Sequence, residues 1–206
     1  MVLERSETGT STEPAFRSLD LKSPILETAR LLLRPPHLDD APDIARLAND
    51  YAVASMLASM PHPYFAEDAR EFVERVRQKV NGDCVYAVTL KENGEFLGIC
   101  GIHEDRVRFE LPFVGYWLGQ PFWGRGYATE AARAMVDLFF KVTDREVLMV
   151  SARVDNIGSR RVIEKCGARF WKRGAHYNRA LGEMRELDHY RISRDDWFAQ
   201  AAEDRA

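Results

Sequence analysis

The stretch Trp123-Gly124-Arg125-Gly126-Tyr127-Ala128-Thr129 decides how this chain is read. It follows an aromatic strand pattern, Val114-Gly115-Tyr116-Trp117-Leu118, and runs directly into the apolar periodicity of a helix. Glycine permits positive φ and a close approach of backbone to an anion, while the first amides of a helix lack intrahelical partners and carry the positive end of its dipole. The segment is therefore a candidate cradle for a diphosphate, although a Gly-x-Gly turn also serves as an ordinary strand-to-helix connection. Two nucleotide-binding patterns fail here. No Gly-Lys-Ser/Thr follows, and Thr129 stands where the dinucleotide fingerprint needs its third glycine. That fingerprint should also sit directly after its strand, whereas Gly119-Gln120-Pro121-Phe122 intervene.

Outward from this turn, Ala132, Met135, Val136, Phe139 and Phe140 recur on one face of the following helix. A strand is expected over residues 107–118 before it and another over 147–154 after it. Asn156 can cap a next helix that Gly167 ends, and residues 168–172 and 184–192 pair as closing strands. Ser193 then caps a short helix bearing Trp197.

Toward the start, residues 30–34 read as a strand ended by Pro35-Pro36, and Asp39 or Asp40 caps a helix carrying Pro42, Ile44 and Leu47. Phe72, Val73, Val76 and Val80 mark a second helix. Residues 85–90 and 96–102 form a hairpin through Glu92-Asn93-Gly94-Glu95. The order strand, two helices, three strands, helix, strand, helix, two strands excludes a regularly alternating doubly wound sheet. A mixed α+β fold is expected: a twisted, mainly antiparallel sheet of about seven strands flanked by helices.

The chain has 206 residues, 46% hydrophobic content and a formal charge of −3, enough for one compact domain. Its 29 basic against 32 acidic residues argue against a nucleic-acid surface. No apolar run has the length of a membrane span, and residues 1–22 are polar and unlike a signal peptide, so they are read as a mobile tail before a single domain, 23–206. Cys84, Cys100 and Cys166 are odd in number and sit in apolar contexts, so they read as packed residues of a cytoplasmic protein, with no metal set.

The segment Gly115-Tyr116-Trp117-Leu118 followed by Trp123-Gly124-Arg125-Gly126-Tyr127-Ala128-Thr129-Glu130-Ala131 resembles the Gcn5-related N-acetyltransferase (GNAT) superfamily, and within it the RimJ/RimL-type branch that acetylates ribosomal-protein N-termini. Gly126 and Ala128 fill the small positions of the family's Gln/Arg-x-x-Gly-x-Gly/Ala pattern, while Trp123 replaces its polar first residue. Leu26-Glu27-Thr28-Ala29-Arg30-Leu31-Leu32-Leu33-Arg34-Pro35 resembles the same branch. So does Asn156-Ile157-Gly158-Ser159-Arg160-Arg161-Val162-Ile163-Glu164-Lys165-Cys166-Gly167, and together the matches cover most of residues 25–192. The resemblance implies two central strands that splay to admit the pantetheine arm of acetyl-CoA, and direct acetyl transfer to a primary amine with CoA as product.

The resemblance also implies roles for single residues. Backbone around Tyr116, Trp117 and Leu118 would hold the pantetheine arm and the thioester carbonyl. Trp123 through Thr129 would take the diphosphate, with Arg125 as a candidate phosphate contact. Asn156 would meet the arm, and Ser159 would lie near the thioester sulfur. Many relatives use a tyrosine one helical turn further on to serve the departing thiolate, but Ile163 occupies that position, which leaves Ser159.

For the general base His176 ranks first, in the loop expected between the last two strands, because an imidazole near pKa ~6.5 accepts protons at neutral pH. Glu110 ranks second and Glu104, beside His103, third. Glu130 is expected to face away from the phosphates and can pair with Arg133 at (i, i+3). Cys166 is read as packed and not nucleophilic. The acceptor is a primary amine, with a protein N-terminus weighed against an amino acid, polyamine or antibiotic. A non-catalytic acyl-CoA sensor is the alternative of a different class, and a homodimer is compatible with the sequence.

Overall fold

The computed structural model describes residues 24–78, 84–103 and 111–203. The expected tail 1–22, Val80 and the base candidates Glu104 and Glu110 lie outside the described residues. Among the described residues eight strands form one sheet: β1 (Leu26–Glu27), β2 (Leu31–Arg34), β3 (Cys84–Leu90), β4 (Phe96–His103), β5 (Phe113–Leu118), β6 (Val147–Arg153), β7 (Arg169–Asn178) and β8 (Glu183–Ser193). Their spatial order is β1-β2-β3-β4-β5-β6-β8-β7. All neighbours are antiparallel except β5 and β6, which run parallel. The strand beyond the expected seven is the two-residue β1.

The helices are α1 (Ala41–Ala48), α2 (Tyr51–Ala54), α3 (Ala66–Arg77), α4 (Tyr127–Val142), α5 (Ile157–Lys165) and α6 (Arg194–Glu203). Local chemistry explains several of their ends. Pro42 sits in the first turn of α1, where a missing N–H costs nothing. Asp68 accepts from the Phe65 amide at 2.8 Å at the start of α3. Asn156 caps α5, accepting from the Ser159 amide at 3.0 Å. Gly94, at φ +75°, supports the β3–β4 turn.

Helix α4 packs on β2, β4 and β5, while α1 packs on α3 and β4. As a result β3 and β4 are buried along nearly their whole length. Met135, Val136 and Phe139 of α4 are fully buried, as the 3.6-residue periodicity required. The three cysteines are buried thiols outside any disulfide. Burial pushes the Cys166 thiol up to about 11, opposed by Arg133, which fits a packed residue and not a thiolate.

One expectation is corrected. His176 does not lie in a loop, because β7 extends over ten residues and pairs with β8 from Arg169↔Arg191 to Asn178↔Glu183. The strand is an edge, largely exposed, so it lacks the apolar alternation by which a half-buried strand is recognised.

Candidate active site

The site arises where the sheet opens. Among the described residues β5 and β6 are in register at one position, Phe113↔Met149, next to the bond from the Met149 amide to the Pro112 carbonyl at 2.9 Å. Beyond that rung the strands diverge, so the edge of β5 that turns away from β4 has backbone groups without a neighbouring strand. A cavity of about 1680 Å3 fills the gap. Tyr116, Trp117 and Leu118 of β5 line it, with Ser151, Ala152 and Arg153 of β6 opposite.

The glycine turn forms one end of this cleft. Gly124 and Gly126 have φ of +73° and +81°, in the left-handed region where a side chain would be strained. Gly126 is the residue before α4, a 16-residue helix, so the first amides of that helix open on the turn. Trp123, Gly124, Gly126, Tyr127, Ala128 and Thr129 all line the cavity. The indole of Trp123 donates to the Leu118 carbonyl at 2.7 Å and ties the turn to the end of β5. Arg125 turns its carbonyl the other way, toward the Arg30 guanidinium at 2.9 Å. The turn can hold a diphosphate through backbone N–H groups.

Across the gap, α5 starts at the cleft. Asn156 and Ser159 line the cavity, and the cap bond between them fixes the Ser159 backbone. The Tyr116 hydroxyl lies 3.0 Å from Ser159 Oγ and donates toward the Ser159 carbonyl at 3.2 Å. Burial raises the Tyr116 pKa well above the ordinary phenol value, although the bond with Ser159 opposes the shift. The phenol therefore stays protonated at neutral pH and acts as a hydrogen-bond donor. Sequence reading assigned Tyr116 a backbone role only; its hydroxyl reaches Ser159 from β5, while Ile163 of α5 is buried in the core.

His176 lines the same cavity. Its ring stands edge-on to His189, with centroids 5.4 Å apart. His189 is 3% exposed, and its Nδ1 lies 2.7 Å from the hydroxyl of Ser151, another lining residue. Burial lowers the His189 pKa, with His176 and Lys172 adding to the shift and Asp188 opposing it. His189 is thus held neutral. Gly174 makes room for it, because a Cβ there would meet His189 Nε2 at 3.0 Å. His103 also lines the cleft, stacked on Phe113 with ring centroids 5.0 Å apart.

The outer wall is the segment between α2 and α3, where Met56, Met60 and Tyr64 line the cavity. Its backbone is held from the far half of the sheet. The Ser55 carbonyl accepts from Asn178 Nδ2 at 2.9 Å and from the buried Arg153 guanidinium. Asn178 also donates to the Leu57 carbonyl at 3.2 Å, and the Arg179 amide donates to the Ala58 carbonyl at 3.1 Å. The sequence carries no local sign of these contacts, which span more than 90 residues of chain.

Glu130 faces away from the cleft, as expected, but its carboxylate goes to Thr28 and Arg30 on the β1–β2 side. Arg133 lies over the Trp197 ring, 5.6 Å from its centroid.

Comparison with known proteins agrees with this architecture. The chain is 34% identical over 123 residues to protein YkkB of Bacillus subtilis, spanning 56% of this chain and 70% of that protein. It is 27% identical over 175 residues to N-acetyltransferase p20 of Bacillus licheniformis, spanning 82% of this chain and 94% of that protein. A GNAT-family acetyltransferase of Bacillus anthracis superposes with a TM-score of 0.69 at 23% identity, covering 83% of this chain and 99% of that one. RimL, a ribosomal L7/L12 α-N-protein acetyltransferase solved in complex with coenzyme A, superposes with a TM-score of 0.71 at 19% identity, covering 84% and 98% of the two chains. The model of the acetyltransferase (GNAT) domain matches residues 30–169. The chain is an enzyme of that family, a GNAT acetyltransferase.

Proposed function

We propose that this enzyme uses acetyl-CoA and transfers its acetyl group by direct attack to a primary amine, with a protein N-terminus as the acceptor. The observation that carries the reading is the juxtaposition of a left-handed Gly124–Gly126 turn with a paired Tyr116–Ser159 hydroxyl couple on opposite walls of one cleft. RimL and the microcin C7 self-immunity acetyltransferase MccE, solved with acetyl-CoA and AMP, support the cofactor. The three sequence segments similar to the ribosomal branch support the N-terminal acceptor.

The bound thioester supplies an activated acyl group. Backbone N–H groups from Gly124 to Thr129 hold the diphosphate, and the open edge of β5 at Tyr116 to Leu118 aligns the pantetheine amides and the thioester carbonyl. Trp123 keeps that edge and the turn in one frame through its bond to Leu118. Asn156 fixes the first turn of α5 so that Ser159 points into the cleft. Ser159 and Tyr116 serve the departing sulfur, Ser159 as the donor at the sulfur and Tyr116 as the donor that orients it. His176 accepts the proton that the acceptor nitrogen loses as the new N–C bond replaces C–S. Glu110, on the segment leading into β5, is the second candidate for that proton.

The wall formed by Met56, Met60 and Tyr64 gives the acceptor an apolar contact. Labelled acetyl-CoA offered with N-terminal peptides, amino acids, polyamines and aminoglycosides tests the reading. Turnover strongest on peptides, lost on α-acetylated controls, is expected. Turnover confined to small amines overturns the N-terminal acceptor, and binding of CoA without turnover on any amine overturns the catalytic reading of these residues.

A further inference from the structure

The strand pair β1–β2 reaches the back of the glycine turn. Glu130, in the first turn of α4, accepts from Thr28 Oγ1 at 2.6 Å, from the Arg30 amide at 2.8 Å and from Arg30 Nε at 2.7 Å. Arg30 Nη2 lies 2.7 Å from the same carboxylate, and Nη1 donates to the Arg125 carbonyl at 2.9 Å. The guanidinium also lies over the Tyr127 ring, 4.5 Å from its centroid. One side chain thus joins three consecutive parts of the turn and its helix. Burial of Glu130 opposes its ionisation, but the bonds from Thr28 and Arg30 outweigh it and hold the carboxyl below the usual range.

On charge alone this arrangement is puzzling. A carboxylate in the first turn of α4 repels any diphosphate bound to the neighbouring amides, and Arg30 spends its fork on Glu130 and a carbonyl instead of on an anion. Geometry resolves it. In a trans peptide the C=O and the next N–H point in opposite directions. With the Arg125 carbonyl tied to Arg30, the Gly126 N–H faces away from Arg30. Gly126 lines the cleft, whereas Arg30 and Arg125 are not among its described lining residues.

We propose that Arg30 and Glu130 form a lock that sets the shape of the cofactor turn from behind, as positioning residues for the diphosphate and not as contacts to it. The inference rests on the reading that the Gly124–Gly126 turn holds the diphosphate of CoA. The lock removes rotational freedom of the 125–126 peptide before CoA arrives, so that binding does not have to order it.

The sign of one substitution separates the lock from simple electrostatics. Neutralising Glu130 should tighten CoA binding if charge alone matters, and weaken it if the lock matters. Calorimetric titration of the full chain with CoA is therefore expected to show Glu130→Gln and Arg30→Ala each binding about 10-fold more weakly than the unaltered protein. The double variant is expected within about twofold of the weaker single one, because both break the same unit. Arg30→Lys keeps the charge but loses the fork, and is expected to resemble Arg30→Ala. In turnover, KM for acetyl-CoA rises with these losses while KM for the acceptor does not. Glu130→Gln binding CoA as tightly as, or more tightly than, the unaltered protein overturns the lock, as does an Arg30→Lys variant with full affinity. If thermal melting shows these variants unfolded, Thr28→Val removes only one bond to Glu130 and is expected to bind about threefold more weakly. Unchanged affinity there overturns the proposal. Failure of the unaltered protein to bind CoA overturns the underlying reading and the lock with it.

Discussion

The Tyr116 hydroxyl, on β5, meets the Ser159 hydroxyl, on the first turn of α5, at 3.0 Å across the gap where the sheet has parted. A strand on one side of the parting and the helix that follows β6 on the other are thereby joined, at the point where the proposed reaction puts the thioester sulfur. Removing either hydroxyl should act on the chemical step. Ser159→Ala and Tyr116→Phe are each expected to lower kcat by about 10- to 100-fold with KM for acetyl-CoA nearly unchanged. Because the two act as a unit, the double variant should lose less than the product of the single losses. Steady-state kinetics on the four proteins checks this.

His176 should carry the acid limb of the pH–rate profile. His176→Gln keeps a polar side chain of similar reach but cannot take up a proton, so kcat/KM is expected to fall about 100-fold near neutrality and to lose its histidine-like dependence on pH. An acid limb that persists in His176→Gln would transfer the base role to another group, with Glu110 next in line.

Asn178 is 2% exposed and holds two carbonyls of the outer wall, those of Ser55 and Leu57. Asn178→Ala removes this donor from both carbonyls and leaves the Arg153 guanidinium at Ser55. A stability loss of about 1–3 kcal/mol is expected from denaturant unfolding. In kinetics the loosened wall should raise KM for the acceptor more than KM for acetyl-CoA, since the Gly124–Gly126 turn proposed for CoA lies at the other end of the cleft.

Alkaline pH should weaken the fold. Burial pushes the Tyr64 phenol up to about 12, with Asp68 adding to the shift and Arg75 opposing it, and burial also raises Tyr116. In the unfolded chain both phenols ionise near pH ~10. Below that pH both states keep the proton and the stabilisation is complete; above it the unfolded state gains by ionising first, and the stabilisation is lost as pH rises through the folded values. Denaturant unfolding at rising pH, followed with phenolate absorbance, should show a decline beginning near pH ~10 that is shallower in Tyr64→Phe.

Much of the fold is legible because its determinants are local. The period of α4, the Asn156 cap and the Gly94 turn each depend on residues within one or two turns of chain. The glycine turn is legible for the same reason, since positive φ at Gly124 and Gly126 needs glycine whatever surrounds it. What escapes is set by distance along the chain or by exposure. β7 is an edge strand whose Arg173-Gly174-Ala175 stretch has no buried face, so His176 reads as part of a loop. Gly174 is there for the His189 ring, a partner that no turn rule reveals. The Tyr116–Ser159 and Arg30–Glu130 contacts close over 43 and 100 residues, and neither polar pair alters the local hydrophobic pattern.

Among the described residues β5 and β6 share one rung, Phe113 with Met149, and this has a mechanical consequence. It divides the sheet into two plates, β1–β5 and β6–β8, that share an axle and not a seam. A ligand whose amides complete the free margin of β5 becomes, for as long as it stays, a ninth strand of the enzyme. Its arrival should stiffen the junction between the plates, and its departure should leave them coupled only through the rung and the side-chain contacts of Tyr116, Arg153 and Asn178 described above.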